Sequence, residues 1–208
     1  EWLAALRTPS DPKALGRVAG ELIRFVTVSD NPDPLTREGL PHAARQLILR
    51  QRGVLDLVLA AAEAPLTAAG AEGAGSEPSV PSKAQQELSR SASSMATGAL
   101  SSSVKEMKRA LTLCMVLFRH LLRGHDANKD YAMRFVPRLQ LMLGLGIRSA
   151  GALTEVFLEN ESVLKLVTDK HVAKFISLIR EVGRQARYTK FLTVLCQCGG
   201  LPIRVNPV

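Results

Sequence analysis

The feature that most constrains the fold of this chain is a series of short apolar patterns over residues 152–205. Two sets of apolar residues recur there at intervals of three and four: Val172, Phe175, Ile176 and Ile179, then Tyr188, Phe191, Leu192 and Leu195. Such intervals place side chains on one stripe of an α-helix. Because helices this short are marginal alone in water, each must bury its stripe against a neighbour. The pattern predicts an all-α, armadillo-like stack of short helices.

Composition divides the chain into three parts. Residues 1–63 carry eight basic and eight acidic residues, and their apolar spacing predicts a helix from Lys13 to Val28 and a helix pair across 35–63. Residues 64–103 are rich in Ala, Gly, Ser and Pro, which predicts a flexible insert without fixed structure. Residues 104–208 carry seventeen basic and eight acidic residues, so this part accounts for the net charge of +8.

The segment 104–123 predicts a long amphipathic helix. One stripe of this helix is apolar: Val104, Met107, Leu111, Met115, Phe118 and Leu122. Basic residues surround the stripe: Lys105, Lys108, Arg109 and Arg119. The simpler interpretation is a solvated rim whose Lys and Arg stems cover the core, and the alternative is a face that holds an anionic ligand.

Length and termini suggest one domain taken from a longer protein. With 208 residues the chain can bury a core as a single armadillo-like domain spanning 1–208. It begins at Glu1 without an initiator Met and ends just after Pro207, so we interpret it as a fragment. No apolar run approaches the roughly 20 residues that cross a bilayer, which predicts a soluble piece.

The sequence carries no pattern typical of an enzyme, a metal site or a cofactor site. The cysteines, Cys114, Cys196 and Cys198, lie in apolar helical stretches and predict buried or half-buried thiols in a reducing compartment. No Gly-rich phosphate loop or His-x-x-x-His pair is present, and Gly144–Gly146 fits a helix end. We therefore predict no catalysis and no cofactor.

Longer runs of residues carry a family resemblance. They are Leu158–Arg180 with the following Phe191–Cys196, Arg45–Val58 with the following Ala64–Thr67, and Ile23–Thr27. Together these runs resemble the armadillo-like (RIH) domain of inositol 1,4,5-trisphosphate receptors and ryanodine receptors. The resemblance covers most of the chain outside residues 68–103 and is closer to the trisphosphate receptor branch.

The resemblance implies a function, partners and a location. It implies a cytosolic domain of a calcium-release channel of the endoplasmic reticulum, which contributes to the ligand-binding or gating region. Its partners would be neighbouring domains of the same channel, in a homotetramer on the cytosolic face of that membrane. The domain would pass conformational change to a pore outside this sequence.

The resemblance also suggests inositol 1,4,5-trisphosphate as a candidate ligand. Arg45 and Arg50 match basic family positions, whereas Ala43 and Leu47 stand where an Arg and a Lys are expected. Residues 125–127 stand where the family has a Tyr-Arg-Lys triplet. Either the domain binds the ligand through a rearranged pocket or it does not bind it, as in ryanodine receptors. Four further cations are candidates for such a pocket: Arg123, Lys129, Arg134 and Arg138.

The same sequence is compatible with other functions. An unrelated armadillo or HEAT-type scaffold for proteins or peptides is the main alternative. Nucleic-acid binding is not predicted, because the basic residues lack an accompanying aromatic platform. Within the insert, Arg90-Ser91-Ala92-Ser93 offers Ser93 as a hypothetical kinase site.

Overall fold

The computed structural model describes residues 2–7, 10–71, 98–183, 185–198 and 201–202. Over these ranges the chain is an all-α stack of helices, which confirms the predicted fold class. The first helices are α1 (Trp2–Arg7), α2 (Pro12–Val26), α3 (Ala43–Gln51), α4 (Val54–Ala71) and α5 (Gly98–Leu122). The later ones are α6 (Asp126–Ala132), a 3-10 helix (Met133–Phe135), α7 (Val136–Leu141), α8 (Ser149–Phe157), α9 (Glu161–Leu164), α10 (Asp169–Val182) and α11 (Ala186–Cys196).

Two short antiparallel ribbons complete the described secondary structure. Strand β1 (Thr27–Val28) pairs with β2 (Leu40–Pro41), and β3 (Gln197–Cys198) pairs with β4 (Leu201–Pro202). The first ribbon places Thr27 opposite Pro41. It therefore returns the chain to the end of α2 just before α3 begins.

The helix boundaries differ from the predicted ones for local reasons. Helix α2 begins at Pro12, where the Asp11 side chain caps it by accepting from Lys13 N at 2.9 Å, and it ends at Val26. The next helix begins only at Ala43, because the preceding residues form a turn and β2. In that turn Asp33 accepts hydrogen bonds from Leu35 N and the Thr36 hydroxyl.

Helices extend into the predicted insert from both sides. Helix α4 continues to Ala71, and α5 already begins at Gly98. The centre of the predicted insert, residues 72–97, lies outside the described residues, and so does the hypothetical kinase site Ser93.

Helix α5 forms the centre of the core. Leu111, Met115, Phe118 and Leu122 of its predicted apolar stripe are buried, while Val104 near its start is exposed. Helices α2, α4 and α8 pack around it. One cluster of buried apolar residues extends from Leu6 to Val194.

Aromatic rings attach the last two helices. Phe175 of α10 stacks on Phe191 of α11 with centroids 3.7 Å apart, and Phe191 meets Phe157 of α8 edge-on at 5.6 Å. Tyr188 is buried beside Phe175. Ile176, which the periodicity placed in the same stripe, is exposed because α10 uses Phe175 for its aromatic contact with α11.

The thiols do not share one environment. Cys114 is buried in α5, and burial raises the pKa of its thiol to about 12. Cys196 is exposed at the end of α11, so the prediction of a buried or half-buried thiol is wrong there. A helix end has fewer neighbours to cover it than the middle of α5 does. The side chain of Cys198 lies outside the described part of the structure.

No helix among the described residues combines the length and the apolar character that a membrane span requires.

Candidate functional site

Helix α3 carries both arginines that the sequence singled out. Ala43, Leu47 and Arg50 lie at intervals of four and three residues, so they share one stripe of the helix. Ala43 and Leu47 are exposed and Arg50 is half-buried. The stripe where the resemblance expects three cations therefore presents one.

Arg50 connects α3 to the start of α6. Its Nη1 donates to Ala127 O at 3.1 Å and lies 3.5 Å from Asn128 Oδ1. Its guanidinium also lies 5.3 Å from the centroid of the Tyr131 ring. Asn128 is fully buried and donates to Leu121 O at 2.7 Å, which fixes this corner. The tertiary structure thus brings Arg50 of α3 beside residues 125–127. The resemblance assigns ligand contacts to both of these segments.

A row of alternating arginines and aromatic rings continues from Arg50 along α6 and α7. The guanidinium of Arg134 lies 3.7 Å from the Tyr131 centroid and 4.8 Å from that of Phe135, and Arg138 lies 5.6 Å from Phe135. Cations over ring faces attract through the ring quadrupole. We call this row, Arg50, Tyr131, Arg134, Phe135 and Arg138, the arginine–aromatic ladder.

Carboxylates of α4 bind the ladder residues of α6, the 3-10 helix and α7. Asp56 Oδ2 accepts from the Tyr131 hydroxyl at 2.8 Å, and Asp56 Oδ1 lies 2.6 Å from Arg134 Nη2. Burial and the hydrogen bond from Tyr131 to Asp56 raise the pKa of Tyr131. Glu63, two turns further along α4, accepts two hydrogen bonds from Arg138. Nε donates to Oε1 at 2.8 Å, and Nη2 donates to Oε2. The hydrogen bond to Glu63 raises the pKa of Arg138.

Arg45 lies away from the ladder. Its Nη1 donates to Phe25 O at 3.0 Å, and its guanidinium lies 4.9 Å from the Phe25 ring centroid. Arg45 and Arg50 are five residues apart on α3, so they leave the helix in directions about 140° apart. The two arginines therefore contact different neighbours.

A second cationic cluster surrounds Glu38 at the end of α5. Arg119 Nη2 pairs with Glu38 Oε1, and Arg123 Nη1 lies 2.5 Å from Glu38 Oε2. Burial acts to raise the pKa of Glu38, but the hydrogen bond and charge of Arg119, with the charge of Arg123, outweigh it and lower the pKa. Local patterns do not reveal that Glu38 pairs with these arginines, because Glu38 lies in a loop remote in sequence from α5.

Lys129 lies in the interior. Its Nζ donates to Leu158 O at 2.6 Å and is 3.6 Å from Asp126 Oδ1. Nearby Glu155 is buried, and burial raises the pKa of this carboxyl although the charge of Lys129 acts in the opposite direction. Lys129 thus joins α6 to the end of α8 and does not face solvent.

The candidate cations fall into two groups by their partners. Four of them are each within ion-pair distance of a carboxylate: Arg134 and Arg138 on the ladder, Arg123 in the Glu38 cluster and Lys129 in the interior. Arg45 and Arg50 make no ion pair with any residue that the structure describes. They therefore keep a formal positive charge that the fold does not neutralise.

Metal binding has no visible basis in the described residues, where no three or more His, Cys, Asp or Glu side chains gather in a way that would hold an ion. The described histidines lie apart, with His42 and His125 next to helix starts and His120 inside the core.

Residues 20–207 match the family model described as the RIH domain, which represents ryanodine and inositol trisphosphate receptors. The matched region includes α3, the arginine–aromatic ladder, the Glu38 cluster and the aromatic attachment of α10 and α11. Of the described helices, it leaves out α1 and the first part of α2.

Proposed function

The chain belongs to the RIH-domain family of ryanodine receptors and inositol trisphosphate receptors, and we propose that it transmits conformational change towards the pore of a calcium-release channel. The family is one of channel receptors, in which this domain is a cytosolic part. We place the channel in the endoplasmic reticulum membrane as a homotetramer, with neighbouring domains of the same channel as partners. In this proposal residues 1–208 form one armadillo-like domain.

The observation that carries the transmission role is the tie between the two parts of the chain that flank the predicted insert. Asp56 of α4 contacts Tyr131 and Arg134, which lie 75 and 78 residues further along the sequence. Arg50 makes a similar link to Ala127 over 77 residues. Because packed helices move as rigid bodies with small shifts at their interfaces, such ties make both parts respond together.

Within this role, Arg50 and Arg45 are the proposed contacts for inositol 1,4,5-trisphosphate. Arg50 supports this assignment best, because it lies beside residues 125–127 and has no carboxylate partner among the described residues. Phosphates bind most strongly through several convergent charged hydrogen bonds. Since Ala43 and Leu47 supply none, this domain contributes only part of the site, and Arg50 is its main contribution.

Calorimetric titration with inositol 1,4,5-trisphosphate, at low and at physiological salt, tests the ligand assignment on this chain joined to the neighbouring channel domain that would supply the rest of the site. We expect saturable binding that Arg50→Gln weakens by about tenfold, since one charged hydrogen-bond donor contributes roughly 1.5–3 kcal/mol. Arg45→Gln should weaken it less. Arg52→Gln is the matched control, because Arg52 is exposed at the end of α3.

Two results would count against parts of the proposal. Equal affinities for the Arg50→Gln and Arg52→Gln variants would remove Arg50 from the site. No binding heat at millimolar ligand would remove the ligand assignment and leave a gating domain that behaves like that of a ryanodine receptor.

A further inference from the structure

A groove between α2 and α5 lies apart from the arginine–aromatic ladder and from the Glu38 cluster. Its volume is about 370 Å³. Small and apolar residues form its floor, among them Gly16, Gly20 and Ala110. A Cβ atom at Gly16 would lie 3.7 Å from Ala110, so the two helices approach closely beneath the groove. Pro34 closes one end, 3.3 Å from the corresponding position on Gly20.

The rim of the groove is strongly positive. Four cationic side chains line it: Lys13, Arg17, Arg24 and Arg109. Glu106 is the carboxylate among the lining residues, so their net charge is +3. Lys13, Arg17 and Arg24 recur at four and seven residues along α2, on the same side as Gly16 and Gly20. The rim and the floor therefore belong to one face.

Most of this positive charge has no internal partner. Lys13 and Glu106 are 3.6 Å apart across the groove, and both are exposed or partly exposed. Arg24 donates to Pro32 O at 3.1 Å, which orients the guanidinium without neutralising it. Arg17 and Arg109 form no ion pair with any residue in the described ranges. Asp33, beyond Pro34, accepts hydrogen bonds from Leu35 N and the Thr36 hydroxyl, which lower its pKa, and the charge of Arg109 lowers this pKa further without an ion pair.

The length of the cationic row indicates what fits it. Lys13 and Arg24 are eleven residues apart, which is about 16 Å or three turns of α2. A single phosphate or another small anion reaches only part of such a row. A helix with carboxylates at intervals of three and four residues presents a matching row of similar length. Small apolar residues beside those carboxylates would then contact the floor at Gly16 and Ala110.

We infer that the α2–α5 groove is a docking site for an acidic amphipathic helix of another polypeptide segment. The carboxylates of that helix pair with Arg17, Arg109 and the neighbouring cations, and its small apolar residues cover the floor. The inference does not depend on the ligand proposed for Arg50, because Arg50 does not line the groove.

Fluorescence anisotropy with a labelled synthetic peptide tests this docking site. The probe is a helical peptide of about 20 residues, with Glu at three- and four-residue intervals on one side and Ala and Leu beside them. We expect saturable binding to the 208-residue chain, and about tenfold weaker binding to the double variant Arg17→Glu with Arg109→Glu. Arg52→Glu with Lys190→Glu is the matched control, since both positions are exposed and outside the groove.

The control should bind the peptide with an affinity within about twofold of that of the unchanged chain. Circular dichroism and thermal unfolding establish that each variant is folded, and Arg17→Gln with Arg109→Gln repeats the test with a milder change. Equal weakening in both double variants would overturn the inference, because it would assign the binding to diffuse positive charge. Equal binding of a peptide with the same composition in scrambled order would overturn it too. Displacement of the peptide by one equivalent of inorganic pyrophosphate would instead indicate a small-anion site.

Discussion

His120 shows how burial sets the chemistry of a single side chain. It is 1% exposed near the end of α5, and its Nε2 has no hydrogen-bond partner within the described structure. Burial, and then the charge of Arg119, lower its pKa from 6.5 to about 4, while the charge of Glu38 opposes this. His120 is thus a neutral core residue at physiological pH. Sequence alone gave no reason to separate it from the other histidines.

The low pKa of His120 makes stability depend on pH. Between about pH 4 and 6.5 the unfolded chain binds a proton at this residue and the folded chain does not. Stability contributed by the neutral ring is therefore present above pH 6.5 and is lost as the pH falls, by at most about 3 kcal/mol. We expect His120→Gln to reduce this dependence, measured from urea unfolding at pH 7.5 and pH 5.

His42→Gln is the control for this measurement, because His42 is only partly buried at the start of α3. It should keep the pH dependence of the unchanged chain. An identical loss of stability on acidification in the His120→Gln variant would contradict the prediction.

Lys129 links helices α6 and α8 through a buried hydrogen bond. Helix α6 provides the side chain, and the end of α8 provides the Leu158 carbonyl oxygen, which accepts a hydrogen bond from Lys129 Nζ at 2.6 Å. A cation at the C-terminal end of a helix also interacts favourably with the helix dipole. From the sequence, Lys129 was a candidate contact for an anionic ligand. The packing of α6 against α8 instead buries it.

Replacing this buried cation should destabilise the junction of α6 and α8. We expect Lys129→Met to lower the free energy of unfolding by about 2–4 kcal/mol, because it leaves the Leu158 carbonyl without its bond and removes the cation that acts most strongly on Glu155. Urea unfolding measures the change. Lys165→Met is the control, since Lys165 pairs with Glu161 at the surface, and its unfolding midpoint should stay unchanged. Equal midpoints for both variants would show that Lys129 contributes nothing to the junction.

The arginine–aromatic ladder joins parts of the chain that are far apart in sequence. Asp56 and Glu63 on α4 are bound to Arg134 and Arg138, while the shared core connects the same helices from within. The ion pairs are partly exposed, so each contributes no more than about 1 kcal/mol to stability. Their proposed importance is therefore mechanical: they fix how α4 and α7 move together.

Removing the carboxylates of Asp56 and Glu63 should reduce the coupled movement of the helices without preventing folding. In a channel that carries this domain, we expect Asp56→Asn with Glu63→Gln to lower the maximal ligand-evoked calcium release at least about twofold, because the helices no longer shift as one body. Calcium flux from vesicles measures this effect. Glu161→Gln, which breaks the surface pair with Lys165, is the control and should leave release unchanged. Unaltered release in the double variant, with normal folding, would argue against transmission through the ladder.

Local spacing in the sequence was enough to predict the all-α class and the main amphipathic helices, among them α2, α5, α10 and α11, although not their exact bounds. Apolar residues at intervals of three and four lie on one side of a helix wherever it packs, so most of the stripe of α5 and the aromatic residues Phe175 and Phe191 became core as predicted, while Val104 stayed exposed. The family resemblance was likewise carried by linear runs of residues, and the RIH match over 20–207 confirms it.

Tertiary structure alone decided which cations keep an unpaired charge. Arg134 and Arg138 meet carboxylates more than 70 residues away, and Glu38 meets Arg119 over 81 residues. No local pattern records such partners, because the energy of an ion pair depends on distance in space and on burial. Burial likewise depends on which elements meet in space: Ile176 and Cys196 are exposed, whereas Lys129 is buried. Periodicity says which side of a helix is apolar, and only packing says how much of that side another helix covers.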